Sequence, residues 1–481
     1  MVEAALHPQK MSYNWRMRQR GKVAAISAWT LVLVAVTALA ACNETTTLTV
    51  EELMSPETCR TCHPKHYDEW KSSMHAYASD DEVFIALNAR GQADTGGELG
   101  SLCVKCHAPM AFALGLTVDG SNIRDVPQWA RGVTCYFCHN TVEVNGTHNN
   151  PLKLAMDTTM RGGLYDVVEN SAHGSAFSDL LAGDSDGSST MCGACHDVVT
   201  PLGVATETTF LEWQNSLFGQ PGRSHLSCAE CHMTPSTDYV AEGAGISAPL
   251  REFGRRDHLF AGVDVALTPW PGKEAQREAI ETKLANTVLP RICVTPLNGG
   301  EIAVRLDNTG AGHTWPSGAV HDRRAWVTVR AFGANDALLF HSGVVGAGQD
   351  PEDLADPYLW QIGNENYGVD DEPVTFSWEI ARIVNNRLPP IVTTDPNDPR
   401  FDHSVTRAYP VPGLIGQIER VEMMVSIRPF PFRVFDELAG SGHMDPELAV
   451  DLKAALPTFE LAGTKLVWTA AAADAGGCVK P

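Results

Sequence analysis

Five times in this chain two cysteines separated by two residues are followed at once by a histidine. The segments are "CRTCH" (Cys59, Cys62, His63), "CVKCH" (Cys103, Cys106, His107), "CYFCH" (Cys135, Cys138, His139), "CGACH" (Cys192, Cys195, His196) and "CAECH" (Cys228, Cys231, His232). They take up ten of the 13 cysteines. This is the spacing at which two thiols add to the two vinyl groups on one edge of a porphyrin while the next residue lies beneath the iron. Structural zinc also uses paired C-x-x-C, and disulfides are open to an exported chain. Neither asks for a histidine after every second cysteine. The spacing therefore predicts five covalently attached haems c.

All five motifs lie between residues 59 and 232. Five haems in residues 55–287 leave roughly 45 residues each, too few to build a protein core around every one. The porphyrins must then form much of the core, wrapped by short helices and loops with little sheet. "GKEAQREAIETKLAN" (272–286) follows and reads as an exposed helix. From Ile292 the pattern changes to short alternating runs such as "EIAVRLDN", "AWVTVRAFG", "RVEMMVSIRP" and "TKLVWTA", separated by turn residues. That is the pattern of a β-sandwich, interrupted by one helix, "PELAVDLKAAL". The expected fold is α+β: a haem-packed, mostly helical and loop domain over 55–287, then a β-sandwich domain over 288–481. Cys293 and Cys478 bracket the sandwich and are either a disulfide joining its last strand to its first or two free thiols.

Residues 1–41 read as a lipoprotein-type signal peptide: a basic stretch, an apolar run and the ending "LAAC". That ending resembles a bacterial lipobox, which implies cleavage before Cys42 and acylation of its thiol. An ordinary signal peptide or an uncleaved anchor is the alternative. Residues 42–54 read as a polar tether. The expectation is export to the periplasm or cell surface, as an outer-membrane-anchored lipoprotein. A formal charge of −22 argues against nucleic acid, whose phosphates would repel it. It fits small ligands or basic partners, such as redox proteins of the cell envelope, and leaves homo- or hetero-oligomers open.

Several segments go beyond the haem signature. His63 is followed by Glu69, Trp70, Ser73 and His75 in the order E-W-x-x-S-x-H, and "GVTCYFCH", "SAHGSAF", "TTFLEWQNS", "CAECHM", "RRDHLFAGVD" and "GAGHTWPSG" occur downstream. In these the chain resembles the multihaem cytochrome c superfamily of hydroxylamine oxidoreductase, pentahaem nitrite reductase and the tetrahaem cytochromes of ammonia oxidisers. The likeness spans most of residues 55–345 and loosens after that. It implies that His75, His173 and His258 are distal haem ligands. His313, in a Gly-Pro-rich turn, is a fourth candidate that would stitch the two domains. His225 is the fifth, with His148 as its competitor. His66, one helical turn from His63, cannot reach the opposite face of the same iron. His321, His341, His403 and His443 fall in the sandwich and read as ordinary. His75 is expected to lie about three turns along the helix that starts after His63, and to serve a neighbouring haem. An echo of that helix, "FLEWQNSLF" (210–218), places Phe218 where "YDEWKSSMH" (67–75) has His75. Packing needs or duplicated ancestry would each explain it.

The sixth ligand separates the functional readings, because a second strong ligand makes an electron carrier and an open position makes a catalyst. Five candidate distal histidines for five haems favour electron transfer through mostly bis-His, low-spin haems. The alternative is an oxidoreductase acting on small nitrogen or sulfur oxyanions at one open haem. The Cys103/Cys106 haem has the least obvious partner and is the candidate for that role. No Lys, Tyr or Arg constellation for such a site is evident. A subunit of a larger cytochrome assembly, with the sandwich as docking module, is a third possibility that overlaps the first.

Overall fold

The computed structural model describes residues 47–243 and 246–481. The expected signal peptide and Cys42 lie outside those residues. The end of the expected tether is folded: Val50–Met54 is a helical turn with a Thr49–Glu52 capping box, and Leu53 and Met54 are buried.

The motif-bearing half is built from short helices, as expected where haems displace protein core. Four recur below: α1 (Pro64–Ser72), α2 (Glu82–Asp94), α3 (Thr209–Gln214) and α4 (Lys273–Leu284). It holds more sheet than expected, as four two-stranded pieces: Thr141–Val144 with Leu152–Leu154, Thr159–Gly162 with Gly174–Phe177, Asp197–Val199 with Ala205–Thr208, and Pro235–Tyr239 with Leu250–Arg256. The helix after His63 does not run on to His75. It stops at Ser73, whose extended backbone (ψ 160°) breaks it and whose Oγ accepts from Ala76 N, capping a new turn at Met74–Tyr77.

From β1 (Val288–Thr295) the chain forms a small two-stranded sheet, Asn364–Tyr367 with Arg382–Asn385, and two main sheets. One orders β6 (Val405–Pro410), β2 (Glu301–Asn308), β1 and β10 (Cys478–Val479). The other centres on β3 (Arg324–Phe332) paired with β7 (Arg420–Arg428) in an unbroken antiparallel register, flanked by β4 (Leu338–Ser342), β5 (Trp360–Ile362), β8 (Phe459–Glu460) and β9 (Leu466–Thr469). Burial alternates along β1 and β2, so Ile292, Val294, Ile302, Val304 and Leu306 point inward to meet Val327, Val329, Val421, Met423 and Val425 of the facing sheet. Cys293 and Cys478 stand opposite each other on β1 and β10 and form a disulfide.

Where the sequence reading has one late helix, there is a helical hairpin, α5 (Phe432–Gly440) and α6 (Pro446–Ala455). Its apolar face (Val434, Phe435, Leu438, Leu452) packs on Val83 and Ala86 of α2 and on Phe376 and Trp378, and the Trp378 indole reaches Asp94 (3.3 Å). Through this cluster the motif half and the sandwich pack as one unit, Leu48–Pro481. Among the described residues no helix is long and apolar enough to cross a membrane.

Candidate functional site

Each motif sits on a helical turn, and this local geometry presents its chemistry. Residues three and four apart share one face of a helix, so both thiols and the imidazole of a C-x-x-C-H turn project together. The histidine N–H closes the turn on the first cysteine carbonyl, as in His63 N to Cys59 O (2.8 Å) and His107 N to Cys103 O (3.0 Å). Side-chain caps start two of the turns, Thr134 before Cys135 and Ser227 before Cys228.

The imidazole rings are held in one tautomer. Four motif histidines place Nδ1 against a backbone carbonyl: His63 on Val240 (2.6 Å), His107 on Ala78 (3.0 Å), His139 on Arg161 (2.5 Å) and His232 on Ala261 (3.0 Å). His173, His258 and His313 do the same with Gly174 (2.9 Å), Arg256 (3.2 Å) and Thr314 (2.9 Å). A carbonyl only accepts, so Nδ1 carries the proton in each ring and Nε2 is left bare, the usual arrangement of a metal-binding histidine.

Four of the motif histidines face a second histidine across a nearly constant gap. Ring centroids are 6.4 Å apart for His63–His173, 6.2 Å for His139–His258, 6.2 Å for His196–His75 and 6.5 Å for His232–His313. Two imidazoles bound trans on one metal through bonds of about 2 Å put their centroids about 6.3 Å apart. The residues present therefore fit an iron between each pair. Among the described residues no three His, Cys, Asp or Glu side chains converge into a cage for a lone ion.

Residues 58–140 match the family model described as cytochrome c554 and c-prime. Over those residues, which hold the first three motifs, the chain is similar to that family. The chain also shares its fold with a penta-haem cytochrome c552 from Thermochromatium tepidum, at 18% identity and a TM-score of 0.55, over 87% of this chain and 99% of that one. No curated protein matches the chain.

The motifs lie close to one another. The Cys59 and Cys135 thiols lie close together, as do Cys192 with Cys228 and Cys106 with Cys195. Cys138 lies near enough to Cys192 and Cys195 for its charge to act on both. The first motif thus adjoins the third, the third adjoins the fourth, and the second and fifth both adjoin the fourth.

The second motif differs from the other four. Instead of a facing histidine, the His107 ring has Phe84 of α2 stacked on its flat side (4.2 Å, 5° between planes). Met110, three residues after His107, packs against Leu53, Met54, Tyr136 and Phe137. Charged groups from well-separated segments gather nearby. The Asp264 carboxylate acts on His107 and is gripped by both Nη atoms of Arg323 (2.7 and 2.6 Å). Arg323, 7% exposed, also donates to Pro429 O (3.0 Å). Glu207, close to Cys103, is pushed up to about 7 by burial, with Arg323, Asp322 and Asp264 around it. Asp81 is likewise lifted to about 7 by burial. His321 is buried beside Asp322 (3.4 Å) with its Nδ1 unpartnered among the described residues. The sequence reading saw no such constellation because its members share no local pattern.

His225 is not brought to any motif histidine. Its Nε2 lies 2.6 Å from Asp186 Oδ1 and its ring meets Trp213 edge-on. His148 is in an exposed turn beside Thr147, and His66 packs edge-on against His258 at 4.8 Å.

Proposed function

We propose that this chain carries five covalent haems, one on each C-x-x-C-H motif, and relays electrons among redox partner proteins of the cell envelope. The observation that carries this reading is the set of four histidine pairs at one spacing, each motif ring facing a partner whose proton sits on Nδ1 or whose ring is buried beside it. His63 with His173, His139 with His258, His196 with His75 and His232 with His313 would hold four irons. Haem held there would supply one-electron exchange. The polypeptide fixes ring orientation through the Nδ1 contacts and sets the polarity around each site. Contact between motifs supports a connected path with the fourth motif as its junction. Export, with a lipid anchor at Cys42, places the relay outside the cytoplasm, where c-type cytochromes and disulfides such as Cys293–Cys478 are made.

A second reading has its own observation. Among the described residues no histidine faces His107, and Asp264, its partner Arg323 and Glu207 stand close by. This supports an open position at the second motif where a small nitrogen or sulfur oxyanion could be reduced, with cationic Arg323 to attract it and Glu207 to handle protons. One experiment addresses both readings. The mass of the mature protein should exceed that of the polypeptide by five haems, and the reduced protein should bind one carbon monoxide per five haems. A smaller haem count overturns the five-haem relay. No carbon monoxide uptake overturns the open site.

A further inference from the structure

The Glu-Trp-x-x-Ser echo marks two copies of the same device. On α1 the Trp70 indole donates to Val133 O (2.7 Å), and on α3 the Trp213 indole donates to Leu226 O (2.8 Å). Val133 lies two residues before Cys135, and Leu226 lies two residues before Cys228. The N–H of Val133 bonds to His75 O (2.8 Å), and that of Leu226 to Phe218 O (3.0 Å), each acceptor five residues after its tryptophan. The buried serines match too: Ser73 Oγ donates to Trp70 O (2.7 Å) and Ser216 Oγ to Trp213 O (2.8 Å). Gly132 is needed in the first copy because a Cβ there would meet His75 O at 2.7 Å. The thiol contacts repeat as well, Cys59 with Cys135 and Cys192 with Cys228. Each tryptophan therefore fixes the approach to one motif, the third or the fifth.

The glutamates point to the other side of the same two sites. Glu69 accepts from Arg255 Nη2 (2.7 Å) and from the backbone N–H of His258 (3.1 Å), the residue facing His139 of the third motif. Glu212 accepts from Arg387 Nη1 (2.6 Å) and from Ser317 Oγ (2.6 Å), in the turn that follows His313, the residue facing His232 of the fifth motif. Arg255 and Arg387 are 5% and 8% exposed. Buried ion pairs of this kind add little net stability, and their best-attested use is to fix one arrangement among several.

We propose that Glu69 and Glu212 are positioning residues for the distal ligands His258 and His313, so that one short helix clamps both axial sides of one haem, once for the third motif and once for the fifth. The proposal rests on the haem ligation put forward above.

The test uses the full-length holoprotein and its Glu69→Ala and Glu212→Ala variants. Mass should show five haems in each, which checks the ligation reading independently; a lower count in the wild type is a failure of that reading and not of the clamp. With five haems in place, each variant should bind one more carbon monoxide than the wild type and lose one low-spin electron paramagnetic resonance signal. Glu69→Ala placed on a His258→Ala background should change nothing further. Where Glu69→Ala does not accumulate, Glu69→Gln keeps one acceptor and should shift one low-spin signal while leaving the rest in place. Wild-type carbon monoxide stoichiometry and signals in both glutamate variants, or additivity with His258→Ala, overturn the clamp.

Discussion

Replacing His75 by alanine tests the ligand assignment at its least obvious point, because this residue follows the first motif in sequence yet faces His196 of the fourth (6.2 Å between centroids, 57° between planes). The substitution removes a ring that packs against Phe260 (4.5 Å) and leaves the main chain intact. The His75 carbonyl can still accept from Val133 N at 2.8 Å, so the approach to the third motif survives. Four facing pairs and one lone motif ring predict one high-spin iron in five for the wild type, and the variant should have two in five. Carbon monoxide uptake by the reduced protein should accordingly rise from one to two per chain, and one low-spin resonance should vanish. Free imidazole should fill the vacated volume and restore the wild-type spectrum. The first motif's spectrum should not move, since His63 keeps His173 opposite it. Uptake that stays at one, or a change that maps to the first motif, would refute the pairing across motifs.

Other consequences are open to direct measurement. The Cys293–Cys478 bridge spans a sequence separation of 185, for which chain entropy alone gives an upper limit of about 5 kcal/mol; replacing both residues by alanine should cost about 2–5 kcal/mol in denaturant unfolding, and a change under about 1 kcal/mol counts against the bridge as a constraint on the sandwich. Trp378→Ala empties the cluster joining α2 to the helical hairpin and should cost about 3–5 kcal/mol with the haem count unchanged; a loss near zero would mean that the two halves do not depend on this contact. Burial lifts the Glu207 carboxyl from 4.5 to about 7. A raised folded-state pKa contributes stability that is fully present below the unfolded value and is lost as pH rises through the folded one. Glu207→Gln should therefore match the wild type near pH 4.5 and exceed it near pH 8 by up to about 3 kcal/mol, and equal denaturant midpoints at both pH values would refute the burial argument.

What was legible in the sequence follows from how local each cause is. Each C-x-x-C-H motif is set within five residues and can be read from spacing alone. The sandwich strands β2, β3 and β7 were legible because they bury alternate side chains, as "EIAVRLDN" shows. The first helix of the hairpin was not, since "PFRVFDELAG" begins directly after β7 and its apolar face is defined only by the α2 surface it covers. The distal histidines depend on distant partners. His313 and His225 look alike as histidines in polar turns; what separates them is that Thr314 O takes the Nδ1 proton of one, while Asp186 stands against Nε2 of the other. The cluster of Glu207, Asp264 and Arg323 comes from three unrelated segments and gives no local signal.

The two clamps also account for which motif stands apart. α1 follows the first motif and holds the third; α3 follows the fourth and holds the fifth. Each of these four motifs adjoins a copy of the Glu-Trp-x-x-Ser helix, and three of them face a histidine tied to a copy: His75 follows α1, His258 bonds to Glu69, and Glu212 bonds in the turn after His313. The second motif lies between the copies, outside both. Its ring is buttressed by Phe84 of α2, and α2 is held by the hairpin α5–α6, an element of the C-terminal half. Arg323 begins its approach just before β3 of the same half. The surroundings of His107 thus come from both halves: Phe84, Glu207 and Asp264 from the motif half, Arg323 and the hairpin behind α2 from the sandwich half. The motif that neither helix reaches is the one beside charged groups, and among the described residues no second histidine faces it.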